Sequence, residues 1–207
     1  MGERHIFVRF TGCDVRCGYC DEHQKTGVPM SVAGVVKTVM SLESDEGPHA
    51  FVSLTGGEPL KAASFVASLA GALRARGFRI LLETNGIEWQ ALSPVLERCD
   101  SISMDIKIPS VGGHPDFYEA HRRFLEAART KEINIKIVVS SLMDQKDFEK
   151  HVRMIADMVP ETTVFIQPVW REMDTAKDYI ESVFEIARRY LRDVRLGFQL
   201  HKMLGMS

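Results

Sequence analysis

No apolar run in this sequence approaches the ~20 residues needed to span a bilayer, and no hydrophobic region follows Met1-Gly2-Glu3-Arg4-His5 as it would in a secretory signal. A cytoplasmic location is the resulting expectation. There is no surplus of either charge: Lys plus Arg is 26 and Asp plus Glu is 28, a net of −2. That balance gives no electrostatic reason to expect nucleic acid or an anionic membrane as partner. No internal repeat, low-complexity tract or composition break divides the 207 residues, so residues 1–207 read as a single domain. Cysteine is scarce, with four in all, and three of them fall within the eight residues Cys13 to Cys20 while Cys99 lies far away. In a reducing compartment such a cluster points to metal binding or redox chemistry rather than a disulfide framework.

What is present is the material of a globular core: apolar residues make up 45% and charged residues 26%. Strand-like runs occur at 5–10, 50–55, 79–84, 101–106, 133–139, 163–167 and 194–200. Between them lie helical faces. Ser31 is placed to cap a helix carrying Val32, Val35, Val36 and Val39, with 43–49 as a charged linker after it. Phe65, Val66, Leu69 and Leu73 form a second face, stopped at Gly77. Trp89, Leu92, Val95 and Leu96 suggest a third, and Phe117, Tyr118, His121, Phe124, Leu125 and Ala128 a fourth. Asp144 can cap a helix with Phe148, Val152, Ile155 and Val159, and Asp174 is expected to open the last one, through Ile180, Val183, Phe184, Ala187 and Leu191. Strands alternating with helices through short connections predict an α/β fold of parallel strands with crossover helices. The count predicts a partial, open TIM-like barrel of about six to seven strands. Active sites in such folds lie at the C-terminal strand ends, where Gly56–Pro59, Glu83–Gly86, Asp105–Lys107, Gln167 and His201 also collect.

The loop Cys13-Asp-Val-Arg-Cys17-Gly-Tyr-Cys20 admits four readings. A zinc knuckle needs a fourth ligand, for which His23 is a candidate. A thioredoxin-like pair, Cys17 with Cys20, leaves Cys13 without a role. Buried structural thiols fit poorly beside Asp14 and Arg16. An iron–sulfur cluster with one iron not held by protein uses all three thiolates and leaves a position open for a ligand.

The Cys-x3-Cys-x2-Cys spacing, with Tyr19 before the third Cys, resembles the radical S-adenosylmethionine superfamily. Gly56-Gly57-Glu58-Pro59 resembles that superfamily's Gly-Gly-Glu-Pro motif; by itself it also reads as a strand-to-helix turn. The resemblance implies a 4Fe–4S cluster on Cys13, Cys17 and Cys20, whose fourth iron S-adenosylmethionine chelates. It also implies release of a 5′-deoxyadenosyl radical that takes hydrogen from a substrate, inside a barrel that shields it.

The run 5–13, the motif 55–60, Glu83-Thr-Asn-Gly86, Met104-Asp-Ile-Lys107, Ile166-Gln-Pro-Val169 and Gln199-Leu-His-Lys202 are similar to the 7-carboxy-7-deazaguanine synthase family in order and spacing. This resemblance implies a homodimer that contracts the ring of 6-carboxy-5,6,7,8-tetrahydropterin with loss of ammonia, using S-adenosylmethionine, the cluster, Mg²⁺ and a flavodoxin-type electron donor. It assigns Tyr19, Asp21, Gly57, Glu58, Glu83, Asp105, Lys107 and Gln167 to S-adenosylmethionine, and Arg9, Thr55 and His201 to the pterin. Arg suits a carboxylate because its fork meets two oxygens at once. Two departures stand out. The family carries a Gln-Gly-Glu-Gly substrate loop ahead of the matching region, so either the start lies upstream of Met1 or the substrate site differs. The family has Cys-Asp-Thr where this chain has Cys20-Asp21-Glu22, and that Thr ligates Mg²⁺. Glu22 is a hard ligand in its own right, and a weaker or shifted Mg²⁺ dependence is expected. The competing functions are a radical activase of a glycyl-radical enzyme, which shares the cluster and Gly-Gly-Glu-Pro signals, and a plain electron carrier or iron sensor.

Overall fold

The structure is a computed structural model that describes residues 3–22 and 25–203, without the side chains of Leu200 and His201. Seven parallel strands form one sheet in the order of the chain: β1 (His5–Phe10), β2 (Phe51–Gly56), β3 (Ile80–Thr84), β4 (Ser101–Ile106), β5 (Glu132–Val139), β6 (Thr163–Pro168) and β7 (Asp193–Leu196). The helices between them are α1 (Val32–Glu46), α2 (Ala63–Arg74), α3 (Ser93–Leu96), α4 (Pro109–Gly112), α5 (Tyr118–Ala128), α6 (Gln145–Met158) and α7 (Lys177–Arg188), and α8 (Leu200–Met203) follows β7. The sheet has two edges, β1 and β7, as the expected open barrel requires. No helix among the described residues is long and apolar enough to cross a membrane.

Strand side chains alternate between two faces. On one face Ile6, Val52, Leu54, Ile80, Leu82, Ile102, Met104, Ile135, Ile137 and Ile166 are buried in a single apolar cluster with the helices. Each such side chain contributes roughly 1.5–3 kcal/mol on burial. The alternate positions carry the polar set. Arg9 is in register with Thr55, Glu83 with Ser103, and Ser103 with Asn134. Further along the strands Asp105 lies beside Lys136, and Val138 beside Gln167. A closed barrel of this type packs its interior with apolar side chains; this sheet turns a polar row inward, as a site for a polar ligand needs.

The helix starts follow local chemistry. Ser31 Oγ accepts from Gly34 N–H at 3.2 Å, and Asp144 accepts from Lys146 N–H at 2.8 Å. Four expectations need correction. The charged stretch 43–49 is not a linker through its length: α1 continues to Glu46, because exposed Glu side chains suit a helix, and Gly47 ends it. The third helix is broken into a 3₁₀ turn at Trp89–Ala91 and the short α3, where Pro94 sits in the first turn. Asp174 does not open α7, which begins at Lys177; Asp174 lies within a run of turns continuing from Trp170, with Thr175 N–H on Glu172 O at 3.0 Å. The last strand stops at Leu196 rather than Leu200, since Gly197 makes the final contact to Ile166 O at 2.8 Å before the chain turns into α8.

Candidate active site

The cysteine loop leaves the end of β1 and is bound to the end of β2 through backbone alone. Gly57 N–H donates to Phe10 O at 2.7 Å and Glu58 N–H to Gly12 O at 2.9 Å. A Cβ on Gly57 would collide with the Gly12 backbone, and Gly56 has φ +109° against the Phe10 backbone. Only glycine permits this approach. The two glycines therefore set where the cysteine loop sits. Farther round the loop, Gly18 N–H donates to Gly112 O of α4 at 3.0 Å.

Glu58 is the hinge pin of the site. It is 2% exposed, and its carboxylate accepts from Leu60 N–H at 2.9 Å, the Thr84 hydroxyl at 2.9 Å and Asn85 N–H at 2.8 Å. Burial pushes its carboxyl up, against the pull of these donors and of Lys107. Through Glu58 the ends of β2 and β3 are held as one unit.

The three cysteines are free thiols of graded exposure: Cys17 buried, Cys13 half-buried, Cys20 exposed. Asn85 Nδ2–H faces Cys13 Sγ at 3.8 Å, and Glu22 N–H faces Cys20 Sγ at 3.4 Å. Burial pushes the Cys17 thiol up, opposed by Lys107 and a hydrogen bond with Tyr19. Among the described residues, which do not include His23, no three His, Cys, Asp or Glu side chains converge as the ligands of one ion would. A cubane takes its thiolates at separate irons, so thiols spread around one loop suit it.

Beyond the loop, Asp105 Oδ2 accepts from Lys107 Nζ at 2.9 Å and Lys136 Nζ at 3.0 Å, while the buried Oδ1 has no partner among the described residues. Burial raises the Asp105 carboxyl, but the two ammonium groups more than offset it and hold Asp105 below its usual range. Burial lowers Lys107, and Asp105 reverses this, so Lys107 is held above its usual range. The pair is charged, with Lys107 Nζ 5.5 Å over the Tyr19 ring. Burial, with Asp105 next, drives the Tyr19 phenol up, so it stays neutral.

Thr55 Oγ1 donates to Glu83 at 3.2 Å. Arg9 is half exposed and 3.7 Å from Glu22, which also accepts from Lys25 at 2.7 Å. Gln167 lies half-buried on β6. Asp21 pairs with Lys202 of α8 at 2.7 Å, which brings the end of the described chain against the cysteine loop. The His201 side chain lies outside the described residues.

Apart from His201, the expected residues lie at one set of strand ends or in the loops that follow them. Sequence reasoning did not single out Lys136, Lys202 or the amide of Asn85. Lys136 had a signal, the alternation Asn134, Lys136 within an apolar strand. Lys202 falls in the family-like run 199–202, but its pairing with Asp21 had no signal, because the two lie at opposite ends of the chain. A surface cavity of about 580 Å³ lies between α1 and α2 around Val36, Met40 and Ala72, away from these groups.

Behind the site, His121 is fully buried and its imidazole is lowered to about 3, by burial first and then by His151. Between that value and 6.5 the unfolded chain binds a proton that the folded chain does not, so stability falls as pH drops through this window and levels off below it. Thermal melts from pH 7 to 4 are expected to show the loss, and His121→Gln to flatten it by at least half.

The radical SAM superfamily profile matches residues 7–159. The chain belongs to the radical S-adenosylmethionine superfamily. It is 33% identical to the 7-carboxy-7-deazaguanine synthase of Geobacter sulfurreducens, over 99% of this chain and 91% of that one. It is 32% identical to the 7-carboxy-7-deazaguanine synthase of Methanopyrus kandleri, over 99% of this chain and 87% of that one. Within the superfamily it is a member of the 7-carboxy-7-deazaguanine synthase family. Among solved structures, SuiB of Streptococcus suis bound to its precursor peptide SuiA superimposes with a TM-score of 0.68 at 14% identity, over 98% of this chain and 50% of SuiB. At that identity the likeness is one of fold, and this chain spans half the length of SuiB.

Proposed function

We propose that this chain, acting as one radical S-adenosylmethionine domain, is a carbon–nitrogen lyase that contracts the ring of 6-carboxy-5,6,7,8-tetrahydropterin to 7-carboxy-7-deazaguanine, releasing ammonia. The observation that carries this is the match to named synthases along nearly the whole of both chains. Cys13, Cys17 and Cys20 hold the 4Fe–4S cluster, which with bound S-adenosylmethionine supplies the one-electron chemistry that begins hydrogen abstraction from the substrate.

The chain's own groups bind and orient. Tyr19, Asp21, Gly57, Glu58, Glu83, Asp105, Lys107 and Gln167 surround S-adenosylmethionine. A cofactor rich in N–H and O–H donors suits Asp105 Oδ1, a buried acceptor with no partner among the described residues. Arg9, Thr55 and His201 hold the pterin. The Arg9–Glu22 contact is long, at 3.7 Å, and Arg9 is half exposed, so the pair is worth little and Arg9 can turn to the substrate carboxylate. A flavodoxin-type donor supplies the electron to a homodimer in the cytoplasm.

Mg²⁺ is the finer question. Glu22 already accepts from Lys25 and faces Arg9, so cations of the chain occupy the carboxylate. Mg²⁺ titration is expected to give a shallower or shifted activation for the natural protein than for Glu22→Thr; identical curves would count against a role for Glu22.

The function is tested by anaerobic reconstitution with iron and sulfide, then reduction with S-adenosylmethionine and 6-carboxytetrahydropterin. 7-Carboxy-7-deazaguanine and ammonia are expected by mass spectrometry and enzymatic assay. Cofactor cleavage without product would reassign the chain to another radical reaction, such as a glycyl-radical activase. A reduced cluster that leaves the cofactor intact would leave only a carrier or sensor.

A further inference from the structure

Asn85 is held on every side but one. Its N–H donates to Glu58 at 2.8 Å, its Oδ1 accepts from Ile87 N–H at 3.0 Å, and its backbone O accepts from His121 Nε2 at 3.2 Å. Gly86, at φ +68°, turns the chain away immediately after it. Because a backbone N–H occupies Oδ1, the atom left facing Cys13 Sγ is the donor Nδ2, at 3.8 Å. Because a carbonyl can only accept, His121 Nε2 carries a hydrogen, and His121 is a neutral donor. Asn85 is 8% exposed and His121 fully buried, so little water competes with the contact to sulfur.

Resting on the cluster assignment above, we propose that Asn85 is a positioning residue that sets the reduction potential of the cluster through its amide donor to Cys13, with His121 fixing Asn85 from behind. A donor to a ligating sulfur favours the more negative, reduced form and raises the potential. The outer residue matters because the amide itself is not free to drift. A residue held by two backbone contacts and one side-chain contact presents its amide donor at a set place, which is how a second layer tunes a cluster. Sequence alone shows Asn-Gly as a turn signal; the turn here serves to aim the side chain before it.

The test is an EPR-monitored redox titration of the reconstituted enzyme, with iron and sulfide counted per chain. Asn85→Ser keeps a turn acceptor for Ile87 but does not reach the sulfur. Asn85→Asp keeps the shape and Oδ1 but replaces the donor with an acceptor. The order expected, from highest potential to lowest, is natural protein, Ser, Asp. At a fixed solution potential the reduced-to-oxidised ratio of the Ser variant is expected to fall about tenfold, equal to about 59 mV for one electron. His121→Phe is expected to shift the same way by less, and His121→Gln, which keeps a donor, to restore most of it. Unchanged potentials with full iron content overturn the proposal while leaving the enzyme assignment intact. Loss of the cluster in both Asn85 variants also overturns it, since the residue would then serve assembly alone. A natural protein that binds no 4Fe–4S cluster overturns the assignment and the proposal together.

Discussion

Cys17→Ala is expected to abolish both the visible absorbance of the reconstituted cluster and all cleavage of S-adenosylmethionine, while the apo-protein melts within roughly 2–4 °C of the natural chain. The two halves have different causes. Cys17 is the most buried of the three loop thiols at 7% exposure, and its removal takes away one of three ligands that cannot be replaced. The fold, by contrast, loses one small side chain, a cost of about 1 kcal/mol, which for a domain of this size moves the melting point by the stated amount. The loop itself is held by Gly18, Gly57 and Glu58 backbone contacts that do not involve the thiol. Cys99→Ala is the control. That thiol is buried, is pushed up to about 12 by burial, and precedes β4 at the opposite end of the sheet from the strand ends that gather the site. It is expected to keep the full cluster content. A Cys17→Ala protein that retains both cluster and cleavage would refute the central reading of the loop.

The same contrast explains what could be read in advance. The strands were legible because residues such as Ile133, Ile135 and Ile137 repeat with period two within short runs, and parallel order followed from helices of adequate length between them. The cysteine loop was legible because its chemistry is local in the chain. Asp174 misled because a helix-capping residue type says nothing about whether the preceding turns run on. The end of β7 misled because Phe198 and Leu200 continue an apolar alternation, whereas the chain leaves the strand after Gly197 and turns into α8 while β6 still runs on to Pro168. Glu58 was identified by motif, but its part as the link between β2 and β3 depends on Thr84 and Asn85, 26 and 27 positions away. The Lys202–Asp21 pairing is invisible for the same reason: both segments resemble family motifs, but nothing in either one shows that they meet.

Asp105→Ala is expected to be the most damaging single change outside the cysteines, for stability as well as for cofactor binding. Lys107 has only 11% of its side chain exposed, against Asp105 and the Tyr19 ring. Removing the carboxylate leaves that ammonium buried with no counter-charge, a situation that costs about 3–5 kcal/mol, or roughly 6–20 °C in melting temperature at 2–4 °C per kcal/mol. Lys136, with 35% of its side chain exposed, can turn to water and adds little. The double variant Asp105→Ala with Lys107→Met removes the stranded charge and is expected to regain most of the lost stability. It is not expected to regain S-adenosylmethionine binding, measured by equilibrium dialysis on the reconstituted protein, because the buried acceptor Oδ1 is gone in both and Lys107, assigned to the same cofactor, is gone as well. Asp105→Asn should fall between, keeping an acceptor but not the charge. The sign with pH follows from the depressed carboxyl: its contribution is present above the unfolded value of 3.8 and is lost as pH falls through the lower folded one. If Asp105→Ala melts within 1 °C of the natural chain, the ion pair is not holding the strand ends together. If the double variant binds the cofactor normally, the carboxylate does not touch it.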